Sequence, residues 1–125
     1  MIKLLIVLLH LPYAQALSKV LVPSVYKEWE HGAPEWATSA EIQQQHNFSV
    51  FLYQKLDPTL PHYFEFNRGA ECGTYLKYIV DHYDSFPDVA MFVHSKPEKH
   101  QKKLSWLHML SCVAPTATFM NINDQ

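Results

Sequence analysis

Segments typical of buried strands alternate along this chain with segments typical of helices, and this alternation constrains the fold more than any other feature. The strand segments are rich in β-branched and aromatic residues, whereas the helix segments carry polar residues with apolar ones at helical spacing. Strands are predicted at 18–26, 48–54, 89–94 and 118–122, and helices are predicted between them at 39–46, 74–83 and 104–112. Such an order predicts an α/β fold with a small, mainly parallel sheet and helices on both faces.

Two segments carry local signals that sharpen this prediction. Ser39 precedes the first helical segment and is a residue type that caps helix N-termini. In segment 74–83 the apolar residues Leu76, Ile79, Val80 and Tyr83 recur at the spacing of one helix face. We therefore expect this face to pack against the sheet.

Ligands of parallel α/β sheets bind beyond the carboxyl ends of the strands. Three polar segments follow predicted strands, and they are Lys27-Glu28, Lys55-Leu56-Asp57 and His94 to His100. We expect these segments to lie at one edge of the sheet, where a ligand would bind.

Composition excludes several functional classes. A chain of 125 residues has room for one domain, and 48% hydrophobic residues are too many for a disordered tail. The net charge of −2 does not support nucleic-acid binding. With three glycines, the chain lacks the glycine-rich loops that bind nucleotide phosphates in Walker and Rossmann motifs.

Residues 1–16 have the order of features of a secretory signal peptide. Lys3 is followed by the apolar run Leu4 to Leu11 and by Ala14-Gln15-Ala16, which suits signal peptidase. The alternative is a buried first strand. With cleavage after Ala16, residues 17–125 form a single α/β domain with no stretch long enough to span a membrane. The predicted location is outside the cell or in the lumen of the secretory pathway.

Export changes the interpretation of two further features. Cys72 and Cys112 would form a disulfide in an oxidising compartment, or else remain buried free thiols, and the sequence does not decide between these alternatives. Asn47-Phe48-Ser49 is an N-glycosylation sequon that leads directly into a predicted strand.

The densest polar cluster is Asn67-Arg68-Gly69-Ala70-Glu71, just before a helix. Free amide groups at a helix start, together with the Arg68 guanidinium, suit a phosphate or carboxylate, and Glu71 suits sugar hydroxyls. The alternative is an ordinary helix cap with a surface Arg68–Glu71 pair. The basic stretch from His94 to Lys103 is either an anion-binding loop or a solvated one.

Histidine chemistry centres on His94, which ends an apolar strand. Its imidazole is either a hydrogen-bonded core group or a catalytic base. The spacing of His94, Glu98, His100 and His108 is not that of a zinc site, so we predict no metal site. Nucleophile elbows and the DxD motif that holds a metal–nucleotide complex are also absent.

The middle of the chain resembles domain-of-unknown-function family 3431. The resemblance rests on Asn67 to Ile79, on Asp81-His82-Tyr83-Asp84 and on Pro87 to His94, with weaker matches at Val22 to Glu28 and Val50 to Lys55. It implies a fold similar to part of a nucleotide-sugar glycosyltransferase domain. The polar positions that match the pattern are Asn67, Arg68, Glu71, Tyr75 and His94.

Under a glycosyltransferase-like hypothesis, the side-chain chemistry gives each of these residues a role. Glu71 and His94 are the candidate catalytic residues, and Asn67, Arg68 and Tyr75 are the candidate ligand-binding residues. The missing DxD motif and the end of the chain just after its last predicted strand are departures from such enzymes, so we expect a domain truncated at the C-terminus. No cofactor is assigned.

Two functional hypotheses follow. The first is a glycosyltransferase-like protein of the secretory pathway that binds a nucleotide sugar or a glycan. The second is a secreted, non-catalytic binding or interaction domain, or an inactive truncated remnant.

Overall fold

The computed structural model describes residues 16–65, 69–99 and 105–112. Their core is a three-stranded parallel sheet in the order β2-β1-β3, with β1 Lys19–Ser24, β2 Ser49–Val50 and β3 Val89–His94. The α-helices in these residues are α1 Glu35–Thr38, α2 Ala40–Gln45, α3 Ala70–Asp81 and α4 Trp106–Ser111. Short 3₁₀ helices cover Tyr83–Ser85 and Pro97–Lys99.

Strand β1 is central, and its two neighbours differ in length. It pairs with β3 over its full length, from Lys19 opposite Val89 to Ser24 opposite His94. It pairs with β2 only at Val20 and Leu21. Pro23 therefore lies beyond the last β1–β2 pair, so its lack of an amide hydrogen costs no hydrogen bond to β2.

Alternate residues of the sheet face two separate apolar clusters. On one face, Leu21 packs with the residues of α1, α2 and α4, and the buried members of this cluster are Leu21, Trp36, Phe48, Met91, Val93, Trp106 and Leu110. On the other face, Val22 packs with Tyr53 and with Tyr78 of α3. Helices thus cover both faces, which confirms the predicted α/β class with a parallel sheet.

The strand order places a change of direction beside β1. The connection through α1 and α2 leads from β1 to β2, and the connection through α3 returns past β1 to β3. Right-handed crossovers that move in opposite directions must lie on opposite faces of the sheet, as the two clusters require. The carboxyl ends of β1 and β3 therefore flank a topological switch point.

The prediction that the apolar stripe of α3 packs against the sheet is wrong. Leu76, Val80 and Tyr83 are 61%, 71% and 78% exposed, whereas Thr74 and Tyr78 are the buried residues of this helix. The ring of Tyr78 lies 5.2 Å from that of Phe51, which accounts for the difference. The large aromatic side chain has more apolar area to bury than Leu76 or Val80, and it turns the opposite face of the helix towards solvent.

Other boundaries differ from the sequence prediction in length. The predicted strand 48–54 is reduced to β2 and a single parallel bridge between Gln54 and Tyr63. The predicted strand 118–122 and residues 1–15 of the predicted signal peptide lie outside the described residues. No helix in the described part of the chain is long and apolar enough to cross a bilayer.

Cys72 and Cys112 are free and exposed. Cys72 lies on α3 and Cys112 follows α4, and these helices cover opposite faces of the sheet. Neither the disulfide nor the pair of buried thiols is therefore found.

Candidate functional site

Glu71 and His94 meet at the carboxyl edge of the sheet. Helix α3 starts at this edge because it returns towards the amino end of β3, and Glu71 lies in its first turn, where the helix dipole favours a carboxylate. His94 is the last residue of β3. The His94 Nε2 and Glu71 Oε1 atoms are 2.8 Å apart, and both side chains are nearly half exposed. A solvent-accessible imidazole is thus hydrogen-bonded to a carboxylate.

Tyr75 lies one helical turn beyond Glu71 and ties α3 to β3. Its phenol donates a hydrogen bond to the carbonyl oxygen of Val93 at 3.0 Å, and its ring lies 4.9 Å from that of Phe92. Burial, with the nearby Glu71 carboxylate, raises the pKa of the Tyr75 phenol above its usual value. The phenol therefore remains protonated and holds the backbone next to His94 in place.

The end of β1 lies beside the end of β3. Ser24 pairs with His94 in the strand register, and its hydroxyl donates to the Thr74 hydroxyl at 3.3 Å. Thr74 is 1% exposed. The two strands that flank the switch point are thus joined to α3 by short polar contacts.

The turn after β1 carries an exposed aromatic ring beside two ammonium groups. Tyr26 is half exposed, and its ring centroid lies 5.4 Å from Lys27 Nζ and 5.8 Å from Lys55 Nζ. Lys55 Nζ is also 5.8 Å from the Phe64 ring. Burial lowers the pKa of the Lys55 ammonium, an effect that the charge of Glu28 opposes. The two ammonium groups thus lie over the Tyr26 and Phe64 rings as cation–π contacts.

Glu28 organises this turn. Its carboxylate accepts hydrogen bonds from the amides of Tyr26 at 2.7 Å and Lys27 at 3.1 Å. The Tyr26 bond is the main cause of a lowered Glu28 pKa, to which the Lys96 charge also contributes. Lys55 Nζ lies over the Tyr26 ring, and Trp29 Nε1 donates a hydrogen bond to the carbonyl oxygen of Ser95 at 2.9 Å. The segments that follow β1, β2 and β3 therefore meet, as the topology predicts.

A family model for proteins of unknown function, DUF3431, matches residues 21–117. The chain belongs to this family. No curated protein and no solved structure gives a significant match. The matched region of the DUF3431 chain contains Glu71, His94 and the helices α1 to α4.

Three of the five candidate site residues lie together in the DUF3431 structure, and the other two lie outside its described residues. The structure brings Glu71 and His94 into contact and places Tyr75 behind them. Asn67 and Arg68 lie outside the described residues. Gly69, which follows them, has φ of 82°, a left-handed conformation that suits glycine at the start of α3.

Sequence reasoning missed Tyr26, Ser24 and Thr74. Tyr26 is the last residue of the predicted strand 18–26 and precedes a lysine, which is a usable signal for an exposed aromatic residue at a ligand-binding edge. Ser24 and Thr74 carry no such signal, because they meet only through pairing of β1 with β3 and packing of α3.

The pair of Glu71 and His94 is suited to proton transfer. In the neutral tautomer that donates from Nε2 to Glu71, the imidazole lone pair is on Nδ1. A carboxylate in this position orients the ring and stabilises the imidazolium that forms when Nδ1 accepts a proton. Among the described residues, no three histidine, cysteine or acidic side chains are grouped as metal ligands.

Proposed function

We propose that this DUF3431 protein is a glycosyltransferase-like domain of the secretory pathway that binds a nucleotide sugar at the carboxyl edge of its sheet. The observation that carries the proposal is the 2.8 Å contact between His94 and Glu71 beside the switch point. It joins a general base to a group that orients it, at the edge where parallel α/β sheets bind ligands.

The turn after β1 supports the nucleotide part of the proposal. The Tyr26 ring is half exposed, and a base that displaces a lysine ammonium group from over the ring would stack on it. The nearby ammonium groups of Lys27 and Lys55 attract a diphosphate. Arg68, two residues before α3 in the sequence, would add a guanidinium that binds phosphate oxygens in pairs.

Glu71 and His94 would act on the sugar. His94 would accept the proton of an acceptor hydroxyl as its oxygen bonds to the anomeric carbon. The bond from that carbon to the diphosphate oxygen breaks, and the nucleoside diphosphate leaves with the electron pair. Glu71 would stabilise the imidazolium and orient sugar hydroxyls.

Ligand binding is testable by thermal unfolding with millimolar UDP or GDP. We expect a higher melting temperature, because a ligand at a hundredfold excess over its Kd stabilises the folded state by about 2.7 kcal/mol. Arg68→Ala and Lys55→Met should abolish the rise. Glu41→Gln and His108→Gln, exposed changes on α2 and α4, should leave it intact.

A second set of melting experiments distinguishes binding of the sugar from binding of the nucleotide. UDP-sugars should raise the melting temperature more than UDP does, and Glu71→Gln and His94→Gln should lose only this extra rise. Release of UDP from UDP-sugars measures turnover. Binding without release would favour the non-catalytic binding domain, and the absence of any shift with nucleotides or UDP-sugars would contradict the proposal.

A further inference from the structure

The turn between α2 and β2 presents an N-glycosylation sequon to solvent. Asn47 is exposed and has φ of 52°, a left-handed conformation that asparagine adopts more readily than most residues. Phe48 is 7% exposed and packs into the apolar cluster, whereas Ser49 is exposed. Burial of the middle residue therefore leaves the two recognition residues of the sequon at the surface.

The only hydrogen bond shown for the Asn47 side chain within the described residues is compatible with a glycan. Its Nδ2 donates to the carbonyl oxygen of Leu17 at 3.3 Å. A glycosylated amide keeps one N–H, so this weak bond can persist after modification. Attachment at Nδ2 requires no buried group to become exposed.

We propose that Asn47 carries an N-linked glycan, an inference that rests on the export component of the proposed function. The donor is an oligosaccharide linked through a diphosphate to a membrane lipid. Nδ2 bonds to the anomeric carbon, the bond from that carbon to the diphosphate oxygen breaks, and the lipid diphosphate leaves with the electron pair. The amide loses one proton, which passes to water.

The position of Asn47 keeps the glycan away from the candidate site. Ser49 pairs with Val20 near the start of β1, whereas Ser24 and His94 end their strands at the opposite edge. The four steps along β1 from Val20 to Ser24 span roughly 13 Å at the usual strand rise. The glycan at Asn47 therefore leaves the carboxyl edge open to ligands.

The test is translation of the full chain with endoplasmic-reticulum microsomes, followed by protease protection and digestion with a peptide N-glycosidase. The protected wild-type chain should show one glycosidase-sensitive shift in mobility. Ser49→Thr preserves the sequon and should keep the shift, whereas Ser49→Ala should abolish it. These two variants change the same exposed position and leave the Asn47 turn intact.

A control sequon makes a negative result decisive. Thr59→Asn combined with Pro61→Thr creates an acceptor in an exposed loop and, together with Ser49→Ala, should restore one shift. A protected wild-type chain without a shift, beside a shifted control, would overturn glycosylation of Asn47 while export stands. An unprotected chain would overturn glycosylation and export together, whereas the nucleotide-binding experiment would be unaffected.

Discussion

Asp81 links a buried phenol to a surface ammonium group. Tyr53, 3% exposed, donates its hydroxyl to Asp81 Oδ2 at 2.6 Å, and Lys77 Nζ is 2.6 Å from the same oxygen. Hydrogen bonds from Lys77 and Tyr53, in that order, lower the pKa of the Asp81 carboxyl. Burial, with the Asp81 bond, raises the pKa of the Tyr53 phenol. The ionised form of Asp81 is thus the one that the fold stabilises.

Asp81→Asn should therefore change how stability depends on pH. Because the pKa of Asp81 is lower in the folded than in the unfolded chain, its contribution is present above the unfolded value, about 3.9, and is lost as pH falls through the folded value. We expect the melting temperature of the wild type to fall more steeply than that of the variant below about pH 4. Circular dichroism melts between pH 3 and 7 measure this difference.

Asp84→Asn is the matched control, since Asp84 is an exposed acid just after α3. The melting temperature of Asp84→Asn should fall below about pH 4 as steeply as that of the wild type. Glu28, Asp57 and Asp88 also have lowered pKa values, so part of the acid sensitivity remains in every variant. Parallel curves for the wild type and Asp81→Asn would contradict a special role for this carboxylate.

Helix α3 packs against the sheet through Tyr78, together with Thr74 and Tyr75, rather than through its regular apolar stripe. Tyr78 is 2% exposed and contacts the rings of Phe51, His82, Phe86 and Phe92. Leu76 and Val80, which have the ideal helical spacing, point to solvent. Burial of a large ring outweighs the periodicity of smaller side chains, so the helix is rotated relative to the sequence prediction.

Alanine substitutions on the two faces of α3 should differ strongly in how much they destabilise the fold. Tyr78→Ala should destabilise the fold by about 3–5 kcal/mol, because it opens a cavity among buried rings. Leu76→Ala removes an exposed side chain and should change stability by no more than about 0.5 kcal/mol. Urea unfolding gives both free energies, and a larger loss for Leu76→Ala than for Tyr78→Ala would show that α3 packs through the predicted stripe.

The strand order β2-β1-β3 organises the whole molecule. It places α1, α2 and α4 on one face and α3 on the other, and it creates the switch point where Ser24 and His94 lie side by side. The same arrangement separates Cys72 from Cys112, although both are near exposed helix ends. The fold therefore opposes an intramolecular disulfide even in an oxidising compartment.

Native protein purified without reductant should accordingly react with iodoacetamide at both cysteines. We expect a mass increase of two carbamidomethyl groups, and the variant with Cys72→Ser and Cys112→Ser should unfold within about 0.5 kcal/mol of the wild type. Faster migration of the unreduced chain in a denaturing gel, together with no labelling, would instead show an internal disulfide.

Short-range patterns were sufficient for several elements. The predicted strand 89–94 coincides with β3, and the Ser39 side chain accepts a hydrogen bond from the Ile42 amide at the start of α2, as an N-cap does. These predictions succeed because runs of β-branched residues and capping side chains act on neighbours within a few residues. The parallel α/β class follows from the order of such elements.

The sequence predicted that the segments after the strands share one edge of the sheet, but not which side chains make contact there. The short β2, the rotation of α3 and the meeting of Glu71 with His94 each depend on residues brought together by packing. Local patterns specify that Glu71 starts a helix and that His94 ends a strand. The sheet order brings the start of α3 beside the end of β3, and the burial of Tyr78 sets the rotation of α3. These two features of the tertiary structure decide that Glu71 and His94 lie 2.8 Å apart, because tight packing of the core fixes how the helix sits on the sheet.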